Sequence, residues 1–73
     1  MAREIIEAPL TGKIISVNVK PGDAVKEEDV LCLLESMKME NPILAPVGGI
    51  VTEVKVTVGQ VVKTGEIIAI IEY

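Results

Sequence analysis

The chain has no histidine, no tryptophan and no phenylalanine, and only one cysteine and one tyrosine among its 73 residues. The missing histidine removes the usual general base near neutral pH and the commonest metal ligand, leaving carboxylates scattered along the chain. With a single cysteine no intrachain disulfide can form. Cys32 has no histidine to activate it, so it reads as a small buried hydrophobe within Val30-Leu31-Cys32-Leu33-Leu34. Glycine-rich phosphate loops are absent as well, and an autonomous enzyme is not expected. Seven basic residues stand against eleven acidic ones, a formal net charge of −4, without a basic cluster or aromatic platform. That excludes nucleic acid as the expected partner, since phosphates need clustered cations and single strands need stacking surfaces. No apolar run approaches the ~20 residues of a membrane-spanning helix, and no signal-peptide core is visible, so neither membrane insertion nor export is expected. The expected location is the cytoplasm.

Valine and isoleucine are abundant. A chain this short forms one domain, residues 1–73, with one compact core, because it buries only about 60% of the surface that its unfolded form exposes. An aliphatic, β-branched core suits strands. Displaced by 37 positions, Ala8 to Glu35 aligns with Ala45 to Glu72 without a gap. Ala8-Pro9 falls on Ala45-Pro46, Gly12 on Gly49, Gly22 on Gly59, Val25-Lys26 on Val62-Lys63 and Glu35 on Glu72. This is an internal duplication. The same displacement carries Lys38 onto Met1, so a pseudo-twofold axis would set the Lys38 segment and the termini at opposite ends.

Two kinds of strand pattern recur. Ile15, Val17 and Val19 alternate with polar residues, as do Val54, Val56 and Val58, predicting strands with those valines and Ile15 turned to the core. Val30–Leu34 and Ile67–Ile71 are continuous apolar runs, predicting strands buried on both faces. Turns are expected at Pro21-Gly22-Asp23, Val58-Gly59-Gln60, Thr64-Gly65 and Gly48-Gly49. No helix signals appear. The predicted fold is all-β: two small antiparallel sheets forming a flattened barrel, with pseudo-twofold symmetry. The strand pattern begins at once, without an Ala/Pro-rich linker ahead of it. Whether the chain stands free or is a piece of a larger protein is left open.

Between the halves lies Glu35-Ser36-Met37-Lys38-Met39-Glu40. Pro42 cannot donate to a ladder and no apolar period runs through the segment, so it reads as a hairpin turn projecting Lys38 into solvent. On spacing alone Lys38 is either a solubilising turn residue or a presented site. Two methionines around an exposed turn lysine favour presentation, because their flexible, polarisable side chains suit contact with partners.

The chain resembles the biotinyl domains, the biotin carboxyl carrier modules of biotin-dependent carboxylases and decarboxylases, a barrel-sandwich hybrid fold. Their usual attachment motif is Glu-Ala-Met-Lys-Met, and here Glu35-Ser36-Met37-Lys38-Met39 differs only by a serine for alanine. The likeness extends over nearly the whole chain, including Ala8-Pro9, Gly12 and Gly22-Asp23-Ala24-Val25. By that resemblance Lys38 carries biotin in amide linkage, added by a biotin protein ligase, with Met37 and Met39 flanking it, Glu35 in the acid position and Ser36 between. The resemblance implies a carrier whose biotin moves a carboxyl group from a biotin carboxylase to a carboxyltransferase or decarboxylase partner, with no catalytic residues of its own. The absence of any insertion between Ile15–Lys20 and Pro21-Gly22 matches members without a "thumb". Glu28 stands where the second half keeps Gly65, so a positive φ there would be strained. Two alternatives remain: a lipoyl carrier, whose motif reads Asp-Lys-Ala and is not matched around Lys38, and an unmodified interaction module.

Overall fold

A computed structural model describes all 73 residues, which fold into eight strands and no helix. These are β1 (Arg3–Glu7), β2 (Gly12–Val17), β3 (Ala24–Val25), β4 (Val30–Ser36), β5 (Met39–Leu44), β6 (Gly49–Val54), β7 (Val61–Val62) and β8 (Ile67–Glu72). Two antiparallel four-stranded sheets have the orders β1-β8-β6-β3 and β5-β4-β2-β7. Displacement by 37 residues turns one order into the other, so the duplication is a pseudo-twofold axis in space. The body measures 36 × 18 × 17 Å.

The halves interlock. β3 of the first half pairs with β6 of the second, and β7 of the second pairs with β2 of the first. The bonds between halves come in matched sets: Gly22 N–H donates to the Val51 carbonyl as Gly59 N–H does to that of Ile14, and Glu28 N–H donates to Ala45 as Gly65 N–H does to Ala8. Neither half can satisfy its own backbone, so the two must fold as one unit.

Each buried side chain is apolar. Ile14, Leu31, Leu34, Val51, Val62, Ile68 and Ile71 fill the space between the sheets, with Cys32 among them. Val17, Val19 and Val54 pack on the rim of this core and Val56 lies within it, as the alternation predicts. Ile15 and Val58 do not follow. A bulge in β2 falls between Ile14 and Ser16, making Ile15 the extra residue and handing the inward position to Ile14. Its counterpart in β6 lies between Val51 and Glu53. Val58 comes after β6 has ended, in the turn before β7, and is 65% exposed. The apolar runs are buried from Leu31 and Ile68 onward, but their first residues, Val30 and Ile67, are exposed, and Leu33 is only half-buried. Gly48 precedes β6 and Gly49 begins it, the bend itself falling on Pro46-Val47.

One turn design is used four times. In Lys20–Asp23, Lys26–Asp29, Thr57–Gln60 and Lys63–Glu66 the fourth residue's N–H donates to the first carbonyl. The fourth side chain accepts from the first N–H in return. The third residue has positive φ each time: Gly22 at 98°, Glu28 at 75°, Gly59 at 93° and Gly65 at 91°. Glycine reaches that region without penalty, so Glu28 is the strained member of the set.

Candidate functional site: the β4–β5 hairpin

β4 and β5 are joined by a two-residue turn, Met37-Lys38, closed by the Ser36–Met39 pair. Both turn residues have positive φ, 53° and 65°. This is the backbone of a type I′ turn, whose twist matches the strands it joins and which ordinarily takes Asn-Gly. Methionine and lysine adopt it at a cost of about 1 kcal/mol each. Backbone strain is thus held at the exposed apex of the hairpin.

The ladder below the apex fixes the hairpin. Leu34, Cys32 and Ile43 are buried, anchoring both strands in the core. The Asn41 side-chain amide donates to the Met39 carbonyl at 3.2 Å and the Leu34 carbonyl at 3.4 Å, tying the start of β5 across to β4. Pro42 lies on β5, the sheet's edge, where its missing N–H costs nothing. On the other flank a β-carbon at Gly12 would overlap the Glu35 carbonyl oxygen, so β2 lies unusually close to β4 just below the turn.

The structure brings together all five residues singled out in the motif. Met37 and Met39 are 92% and 67% exposed, Lys38 and Glu35 are exposed, and Ser36 is half-buried on the last rung. Lys38 enters none of the ion pairs or side-chain hydrogen bonds, which engage Arg3, Lys20 and Lys55 among the cations. Its amine is free to react. What the sequence did not show is how the strands set two charged residues beside Glu35. Glu40 stands directly across from Glu35, and Lys13 flanks Glu35 on the other side. Like charges facing each other across a ladder are unfavourable, so the Glu40–Glu35 rung is a second place where the hairpin departs from its most stable sequence. Centring a two-residue turn on Met37-Lys38 would have revealed that pairing.

Cys32 is buried, and burial pushes its thiol up to about 11. A protonated, inaccessible thiol is no nucleophile. No cluster of histidine, cysteine or carboxylate side chains is arranged to hold a metal. No helix is long and apolar enough to cross a membrane.

The fold and the hairpin define a class: a carrier domain that presents one lysine at the tip of a rigid, all-β body. Residues 4–71 match the family model described as "Biotin-requiring enzyme", and the chain belongs to that family. The "Biotinylated protein TB7.3 homolog" of Mycobacterium leprae is 48% identical over 68 residues, covering 93% of this chain and 96% of the relative. The biotin carboxyl carrier protein of Streptococcus mutans is 43% identical over 65 residues, 89% of this chain and 50% of that one. Among solved structures, a single-chain, multi-domain long-chain acyl-CoA carboxylase superposes with a TM-score of 0.87 at 32% identity, over 93% of this chain and 7% of the other. The chain thus spans nearly all of one relative, half of another and a small part of a large enzyme. It is a biotin carrier domain and not itself a catalyst.

Proposed function

We propose that biotin is attached to the Lys38 amine and that the domain carries it between the active sites of a biotin-dependent carboxylase or decarboxylase in the cytoplasm. The observation that carries this reading is an exposed, unpaired lysine at the apex of a strained two-residue turn, between two exposed methionines. The residues fit the group: amide formation requires an accessible amine with no competing partner, and the hairpin supplies one. When bound, biotin supplies the carboxyl-carrying chemistry.

The chain's own contribution is mechanical. Its core-anchored strands hold the apex in a fixed direction, while the lysine side chain gives reach. A tethered group is thereby kept at high effective concentration near each partner without being bound tightly by its carrier. Met37 and Met39 offer adaptable contact surface to the proteins that must recognise the tip: a biotin protein ligase, a biotin carboxylase, and a carboxyltransferase or decarboxylase. The neighbours of Lys38 are methionines, unlike the Asp-Lys-Ala of lipoyl carriers.

Intact-protein mass measured after incubation with biotin, ATP and a biotin protein ligase tests the assignment. The wild type should gain one biotinyl group and Lys38→Arg none, with its thermal unfolding unchanged. Labelling that persists in Lys38→Arg would move the site elsewhere. A folded wild type that gains nothing would point to lipoylation or to an unmodified module.

A further inference from the structure

Two sheets of four strands have four edges, and three of them are blunted. β3 and β7 are two residues long. β5 carries Pro42 at its middle. β1 alone is a full five-residue edge, Arg3-Glu4-Ile5-Ile6-Glu7, with no proline and no bulge of its own. A long unprotected edge invites another strand.

The duplication makes the contrast sharp, because Ile5 occupies in β1 the place that Pro42 occupies in β5 (42 − 37 = 5). Ala2 and Tyr73 exchange backbone hydrogen bonds, 2.8 Å and 2.9 Å, and the alternation of an antiparallel ladder then turns the N–H and C=O groups of Arg3 and Ile5 away from β8 toward the open edge; beyond the register shift between Ile6 and Glu7, where β8 carries the extra residue, the Ala8 N–H donates to the Glu66 carbonyl, which turns Glu7 outward as well. The side chains of these same three residues share the outer face and are exposed, Ile5 by 49%. Beneath Ile5 on that face lies Ile70, its cross-strand partner, which is buried although it is outside the main core.

Arg3, Ile5 and Glu7 read as their own complement. Antiparallel pairing about a twofold axis at Ile5 sets Ile5 against Ile5 of the second copy and Arg3 against Glu7 at both ends. All three outward rungs are then the hydrogen-bonded kind. Opposite charges facing across a ladder and apolar pairs both favour that register. Glu7 has no ion-pair partner in the monomer, and Arg3 has only a loose contact with Glu53, 3.7 Å with both side chains largely exposed.

We infer that β1 is a self-association edge, through which two copies of this chain join their first sheets into one continuous eight-stranded sheet. The pairing leaves Lys38 uncovered, because its hairpin belongs to the other sheet. A five-residue edge buries less than a standard interface, so the dimer forms at about 0.1–1 mM, the range of local concentrations inside an assembly.

Sedimentation velocity of the 73-residue chain between about 10 μM and 1 mM tests this. The wild type should move from the 7.8 kDa monomer toward twice that mass as concentration rises. Ile5→Pro should stay monomeric and folded, since the lost N–H is not used within the sheet and the equivalent position already holds Pro42. Arg3→Glu and Glu7→Arg should each be monomeric alone, because like charges then face each other, and should associate when mixed in equal amounts. Wild type that remains monomeric at 1 mM overturns the inference. So does association that survives in Ile5→Pro, or a mixture of the two charge variants that stays monomeric.

Discussion

Gly12 lies so close to the carbonyl oxygen of Glu35 that no β-carbon fits between them, and Gly49 stands in the same relation to Glu72. These glycines are fixed by proximity, whereas Gly22 has open space around its missing β-carbon and is required only by its φ of 98°. The two kinds of glycine should respond differently to substitution.

Gly12→Ala should destabilise the domain by about 2–3 kcal/mol, because β2 must withdraw from β4 and disturb the Leu34 packing. Gly22→Ala should cost only about 1 kcal/mol, the penalty of a left-handed alanine. Urea titration of both variants gives the comparison. Equal losses would mean that the close approach to Glu35 relaxes easily.

Glu28→Gly should raise stability by about 0.5–1 kcal/mol. It relieves the one non-glycine member of the four equivalent turns, less the entropy that glycine adds to the unfolded chain. The turn's carboxylate acceptor is Asp29, which the change leaves in place. A lower denaturation midpoint in Glu28→Gly would show that the Glu28 side chain has a stabilising role that outweighs its backbone strain.

Met37→Asn puts a residue suited to left-handed backbone at the first turn position. Stability should rise by up to about 1 kcal/mol. Labelling by a biotin protein ligase should slow, because the most exposed thioether at the apex is gone. Thermal unfolding and labelling rate, measured on one preparation, separate the two effects. A faster rate would mean that turn rigidity, and not methionine contact, limits recognition.

Cys32 sets an alkaline limit. Burial pushes the folded thiol up to about 11 from the 9.0 of a free thiol, so below pH 9 both folded and unfolded chains keep the proton and stability is undiminished. As pH rises from 9 to 11 the unfolded chain releases its proton first, and stability should fall by about 1.4 kcal/mol per pH unit. Cys32→Ala should lack that component, at the cost of a small cavity at all pH values. Parallel slopes for the two proteins above pH 9 would show that the thiol is not the cause.

Most of the architecture was legible because the sequence states it twice. Once Ala8–Glu35 overlays Ala45–Glu72, every turn and strand found in one half is checked by the other, and Glu28 stands out against Gly65. The bulges were not legible. Ile15 and Thr52 are ordinary strand formers, and the extra residue in each strand is set by how β2 and β6 pair with β4 and β8, which local alternation does not encode. Val58 continued a period that the chain had already abandoned for a turn. At the hairpin, Lys38 and its methionines were readable as a presented group. The left-handed backbone of Met37 and Lys38 was not, since neither residue type asks for it. The free edge of β1 was equally silent, because strand order decides which strand has no neighbour.

The rung formed by Ala2 and Tyr73 is the counterpart of the rung formed by Met39 and Ser36. Where one continues through Met37-Lys38, the other is left open by a single residue, since Met1 already corresponds to Lys38. One residue inserted between Tyr73 and Met1 would therefore splice the chain into an endless loop whose second apex mirrors the first. Such a circle would have no ends to fray, and a lysine placed at position 1 would give it two arms, one at each pole. In the linear chain the same geometry means that a pull on the termini is borne by β1 and β8, in the sheet that does not carry the arm.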